Sequence, residues 1–195
     1  IRIARFQSAT GREVRRSMEK LTEEGELSGL VLDLRNSPGG LLQTAVEVSD
    51  VFINDGLIVY TEGRLSQSEQ RYNASTPDQT EGVPLIVLVN EGTASASEIV
   101  AGALQDHKRA VIMGMSTFGK GSVQTVLPLS SEIAIKLTTA LYFTPNGRSI
   151  QAEGIVPDIR VERSTVTKLK SNPFRIKEKD LAGHLENGDD IPKVK

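Results

Sequence analysis

Eight residues, Val83 to Asn90, read VPLIVLVN, with five consecutive aliphatic side chains between Pro84 and Asn90. Such a run is too short for a free-standing helix and rich in β-branched residues, so it reads as a strand buried in a core. Two further apolar runs, GLVLDLRN (Gly29–Asn36) and RAVIMG (Arg109–Gly114), have the same character, as does LIVYTEGR (Leu57–Arg64). The segments between them change period. SATGREVRRSMEKLTEEG spaces Val14, Met18 and Leu21 on one helical face, with Thr10 and Glu13 at capping-box spacing and Gly25 as the stop. LLQTAVEVSDVFI returns to helical spacing through Leu42, Val46 and Val51, and Ser95–His107 gathers Ile99, Val100, Ala103 and Leu104.

Strands alternating with helices predict an α/β fold with a mostly parallel central sheet, flanking helices and an additional β region. Ligands in such folds bind beyond the carboxyl ends of the strands. Two of those ends lead into NSPGG (Asn36–Gly40) and NEGTAS (Asn90–Ser95), which should therefore face one crevice. Residues 64–82 are polar and aperiodic, as in a surface excursion or hairpin tip. The later stretches GSVQTVLPL, EIAIKLTTALYF and TPNGRSI have the alternation of antiparallel strands. From about Val161 the chain is charged and weakly patterned, so residues 1–161 are expected to form one domain and 162–195 a C-terminal extension.

A net charge of −2 gives no electrostatic footprint for nucleic acid. With no cysteine, disulfides, thiolate metal sites and cysteine nucleophiles are excluded. No run approaches eighteen apolar residues, and the start at IRIARFQ, without methionine, is expected of a piece of something longer.

The stretch GMSTFGKGS (Gly114–Ser122) satisfies G-x-x-x-x-G-K, but a phosphate loop also needs Ser or Thr after the lysine and a helix leading out. Gly121 follows Lys120, and SVQTVLPL has strand alternation, so no nucleotide site is expected. Lys120 is then either an exposed turn lysine or a base. Ser95 has two readings as well. With Glu98 three residues on, it has capping-box spacing, and Thr93 could cap instead. Placed after a strand at a helix N-terminus, it could equally be a nucleophile. His107 lies roughly 18 Å along the same helix, and His184 sits in the charged tail, so a Ser-His-Asp triad is not expected. A partly buried lysine can serve as base instead. Gly39 and Gly40 could supply unhindered amides to an oxyanion hole, with the amide of Ala96 as a second donor.

Together GLVLDLRNSPGGLL, VNEGTASASEIVAGALQDH, TFGKGSVQTV and GRSIQAEGIVPDI resemble the carboxyl-terminal processing, or tail-specific, proteases. The resemblance spans about residues 1–161 in the family's order. It implies Ser95 as nucleophile, Lys120 as general base 25 positions later (120 − 95), and Gln124 orienting the lysine; period two on a strand would put both side chains on one face. Asp106 matches a family aspartate and is read as structural. The resemblance further implies a ClpP/crotonase-like core, flexible or unfolded protein C-termini as substrate, and no metal or organic cofactor. It also implies a PDZ domain upstream, a location outside the cytoplasm, and compatibility with a homo-oligomer. Met115, Ser116 and Ser37 depart from the commoner family residues without removing a catalytic group. A catalytically silent peptide-binding or assembly module of the same fold is the alternative.

Overall fold

The computed structural model describes residues 1–23, 25–164, 177 and 180–183. The chain divides into two compact units, Ile1–Glu162 and Arg163–Lys195, and the fold below is that of the first. In chain order its elements are α1 (Thr10–Glu23), β1 (Leu30–Asp33), α2 (Leu42–Ser49), β2 (Leu57–Gly63), β3 (Gln70–Asn73) and β4 (Leu85–Val89). Then follow α3 (Ala96–Asp106), β5 (Val111–Gly114), β6 (Ser122–Pro128), β7 (Ala134–Phe143) and β8 (Ile159–Arg160).

Strands β1, β4, β5 and β8 form a parallel sheet in the order β1-β4-β5-β8. Leu32, Val87 and Ile112 lie side by side across its first three strands and are fully buried. Each contributes about 1.5–3 kcal/mol by leaving water. The segment before α1 extends this layer, because the Ile3 amide donates to the Asp33 carbonyl at 3.0 Å and Phe6 bridges to Gly40. A Cβ on Gly40 would lie 2.0 Å from the Phe6 carbonyl oxygen, so only glycine permits that approach.

The run LIVYTEGR does form a strand, but not in the parallel sheet. As β2 it belongs to an antiparallel sheet ordered β3-β2-β7-β6. Only residues 64–69 separate β2 from β3, a link long enough for a hairpin and too short for a parallel crossover. Residues 64–82 are therefore a hairpin tip, a strand and a tucked loop rather than a plain surface excursion. In that loop Asp78 and Thr80 are buried, and Asp78 accepts from the Thr80 amide at 2.8 Å and from Arg109 Nε at 2.8 Å.

At the start of α1, the expected capping box does not form. The Thr10 hydroxyl turns back to the Arg5 carbonyl at 3.3 Å and accepts from the Gln7 amide at 3.1 Å. The Glu13 amide bonds the Ala9 carbonyl instead, at 3.0 Å.

Candidate active site

Ser95 occupies the turn between β4 and α3 with φ 58° and ψ −117°. A non-glycine residue there carries backbone strain of the order of 1–3 kcal/mol, held by surrounding contacts. Those contacts come from the loop after β1. Asn36 and Asn90 exchange hydrogen bonds at 2.8 and 2.9 Å, the Ala94 amide donates to the Ser37 carbonyl at 2.9 Å, and the Ser97 hydroxyl donates to Ser37 Oγ at 2.9 Å. The Thr93 hydroxyl donates to the Leu34 carbonyl at 2.9 Å. The loops NSPGG and NEGTAS thus meet at one place.

Gly39 sits against the serine turn. A Cβ on it would lie 2.5 Å from the Ala94 carbonyl oxygen and 2.7 Å from the Ala96 nitrogen, and its φ is 85°. Among the described residues the amides of Gly39, Gly40 and Ala96 donate to no protein acceptor.

Glu98 connects this turn to the lysine loop. It is fully buried, and its Oε2 accepts the Ser95 amide at 2.7 Å and the Lys120 amide at 2.9 Å. The two backbone nitrogens can therefore be no more than 5.6 Å apart, the sum of 2.7 and 2.9 Å. Its Oε1 accepts the Thr117 hydroxyl at 2.5 Å and the Gly119 amide at 2.6 Å. All four partners are donors, so the carboxylate acts purely as an acceptor. The capping-box spacing of Ser95 and Glu98 is met in both directions: the Ser95 side chain faces the Glu98 amide, and the Glu98 carboxylate accepts the Ser95 amide. The Glu98 amide also lies 2.8 Å from the Ser95 carbonyl oxygen.

Lys120 is half-buried and lies just before β6, where strand rather than helix follows Gly121. Gln124 is exposed on β6, beyond a register irregularity between Val123 and Gln124. Counting by twos from Lys120 therefore does not fix which way Gln124 points. Asp106 accepts the Asn146 amide at 2.9 Å and pairs with Arg148, tying α3 to the turn after β7. His107 is not a free surface residue: its Nε2 lies 2.7 Å from the Leu57 carbonyl oxygen.

Tyr142 on β7, which the sequence did not single out, is buried, and its backbone amide donates to the Gly121 carbonyl, next to Lys120, at 2.7 Å. Burial raises its phenol above the ordinary pKa, the Ser95 side chain opposes the rise, and Tyr72 adds to it. Among the described residues no group of three or more His, Asp or Glu is placed to hold a metal ion.

Residues 1–161 match the profile of peptidase family S41. A carboxy-terminal-processing protease of Bartonella bacilliformis is 46% identical over 196 residues, covering 99% of this chain and 45% of that protein. A carboxyl-terminal-processing protease of Synechocystis is 42% identical over 167 residues, covering 86% of this chain and 38% of the relative. The solved structure of a photosystem II D1 C-terminal processing protease superposes with a TM-score of 0.75 at 41% identity, covering 83% of this chain and 41% of that one. The chain spans less than half the length of these relatives. With two loops converging on a strained serine and a family match through residue 161, this chain belongs to peptidase family S41.

Proposed function

We propose that the chain is a serine endopeptidase that cleaves flexible or unfolded proteins near their C-termini through Ser95 and Lys120. What supports this reading above all is the Glu98 carboxylate, whose Oε2 accepts the backbone amides of both residues. Nothing in a simple helix cap calls for the second of those bonds.

In the proposed reaction neutral Lys120 takes the Ser95 hydroxyl proton as Oγ attacks the scissile carbonyl. Amides of Gly39 or Gly40 and of Ala96 receive the developing oxyanion, aided by the N-terminus of α3. The lysine then passes the proton to the leaving amine, which departs to leave an acyl-enzyme on Ser95. Water attacks that ester, giving a proton to Lys120, which returns it to Oγ as the acid product leaves. Gln124 is assigned to orienting the lysine by family likeness alone.

Residues 1–161 are read as the protease core and 162–195 as an extension to it. An upstream PDZ domain, a location outside the cytoplasm and a homo-oligomeric state belong to the same proposal, on the same likeness. No helix among the described residues is long and apolar enough to cross a membrane.

The test is intact mass against time for a flexible protein with an apolar C-terminus, incubated with the parent, Ser95→Ala and Lys120→Ala. The parent is expected to cleave, and each variant to lose about 10³-fold or more in rate. Equal cleavage by all three would sink the reading. A parent that binds the substrate without cutting it would favour the silent peptide-binding module.

A further inference from the structure

We infer that Gln151 is a positioning residue for Lys120, its carboxamide oxygen holding the peptide group after the lysine so that the lysine side chain leaves the backbone in one direction. The inference rests on the reading of Lys120 as base and adds to it a residue that acts through the lysine.

Lys120 stands between two glycines, the most permissive residues of the backbone, so its direction has to be set from outside the loop. Two peptide groups flank its Cα. The one before it is held twice: Glu98 Oε2 accepts the Lys120 amide at 2.9 Å, and the Gly119 carbonyl accepts the Ala152 amide at 2.9 Å. The one after it carries the Gly121 N–H, which donates to Gln151 Oε1 at 3.1 Å. Because each peptide group is planar, fixing both fixes φ and ψ of Lys120 and with them its Cα–Cβ bond.

Residues 150–155 are themselves tied to the lysine loop. The Ile155 amide donates to Thr117 Oγ1 at 2.7 Å, and the Thr117 amide donates to the Ile155 carbonyl at 3.2 Å. Ala152 takes φ 67°, a strained value for a residue other than glycine that such contacts hold in place. The approach is close, since a Cβ on Gly121 would lie 2.4 Å from the Gln151 nitrogen. Gly121 is buried, so its N–H needs an acceptor. Gln151 is exposed, so what it supplies is that acceptor rather than packing. A base displaced from its place slows proton transfer without altering substrate binding, and the effect falls on kcat.

The experiment follows the rate at which a small fluorophosphonate modifies Ser95 of the full chain, with the modified residue located by peptide mass. Kinetics on a peptide substrate and thermal melts accompany it, in the parent, Gln151→Met, Lys120→Ala and the double variant. Gln151→Met keeps the length of the side chain and removes the acceptor. It is expected to slow modification and lower kcat about 5- to 30-fold, with KM unchanged and Tm lower by at most about 5 °C. On the Lys120→Ala background the same change should slow modification no further, because its effect passes through the lysine. Parent-like modification and kcat in Gln151→Met, with Lys120→Ala slow, would overturn the role of Gln151 and leave Lys120 as base. Equal slowing on both backgrounds, or a fall in Tm with no change in rate, would also overturn it. Parent-like modification of Lys120→Ala would overturn the lysine reading and this inference together.

Discussion

The helix that follows Ser95 is buried along its first nine residues, Ala96 to Leu104. The ribbon that follows Lys120 leaves Leu127, Leu129, Ile133, Ile135 and Leu137 between 41 and 64% exposed. These five side chains share one face, because Thr125 pairs with Leu137, Leu127 with Ile135, and the Leu129 amide bonds the Ile133 carbonyl. Ser95, the proposed nucleophile, thus stands on a packed layer, and Lys120 at the root of a thinly covered hairpin. Packing along α3 together with hydrogen bonds from the loop after β1 fixes the serine, whereas a few hydrogen bonds fix the lysine relative to it. Glu98 carries two of those bonds directly and two through its neighbours Thr117 and Gly119.

The largest effect should come from breaking that link. Glu98→Gln replaces one acceptor oxygen by an NH₂ group that confronts two donors. Leaving buried donors unpaired costs about 1–3 kcal/mol each. The expected outcome is a drop in Tm, a stability loss of about 2–4 kcal/mol by urea unfolding, and loss of most peptide cleavage. Retained activity with lower stability would show that the carboxylate holds the fold and not the dyad.

A smaller loss is expected within the packed half. Arg109, in the link from α3 to β5, holds the loop before β4 by its ion pair with Asp78, and both side chains are largely buried. Arg109→Ala should cost about 2–3 kcal/mol in urea unfolding, with less effect on activity than Glu98→Gln. The pair also sets a pH dependence. Burial pushes the Asp78 carboxyl up, but Thr80 and Arg109 more than offset it, so its pKa lies below the ordinary 3.8. A carboxyl depressed by folding stabilises above its unfolded pKa and loses that contribution as pH falls through the folded one. Melting temperature should therefore fall below about pH 4, and less steeply in Asp78→Asn.

Strain at the serine gives a change of opposite sign. Ser95→Gly and Ser95→Ala both delete the hydroxyl, yet only glycine relieves φ 58°. Ser95→Gly should be more stable than Ser95→Ala by about 1 kcal/mol, read from urea midpoints. Equal midpoints would mean that the turn is not strained. The smallest effect belongs to the ribbon. Ile133→Thr, at 62% exposure, should alter stability by less than about 0.5 kcal/mol.

The sequence was legible where chemistry is local. The runs around Val87 and Ile112, the apolar face of α3, and the glycines beside Ser95 each declare themselves within a few residues. LIVYTEGR was legible as a strand but not as a member of its sheet, since an apolar run looks alike in parallel and antiparallel surroundings. Glu98 showed only its short-range half, because its bonds to Gly119 and Lys120 reach more than twenty residues along the chain. Tyr142 carried no local mark at all: a tyrosine in an alternating strand reads as core, and only the fold brings its amide to the Gly121 carbonyl beside Lys120. The contact of His107 with the Leu57 carbonyl was not legible either, because it spans fifty residues.

In the proposed reaction Ser95 is acylated with Lys120 as its base. The direct measurement is rapid acid quenching of the full chain with an activated peptide ester, followed by peptide mass mapping of the acylated residue in the parent and in Lys120→Ala. The acyl group is expected on Ser95 in the parent, with formation at least about 10³-fold slower without the lysine. Acyl transfer to another residue, or equal rates in the two proteins, would contradict it.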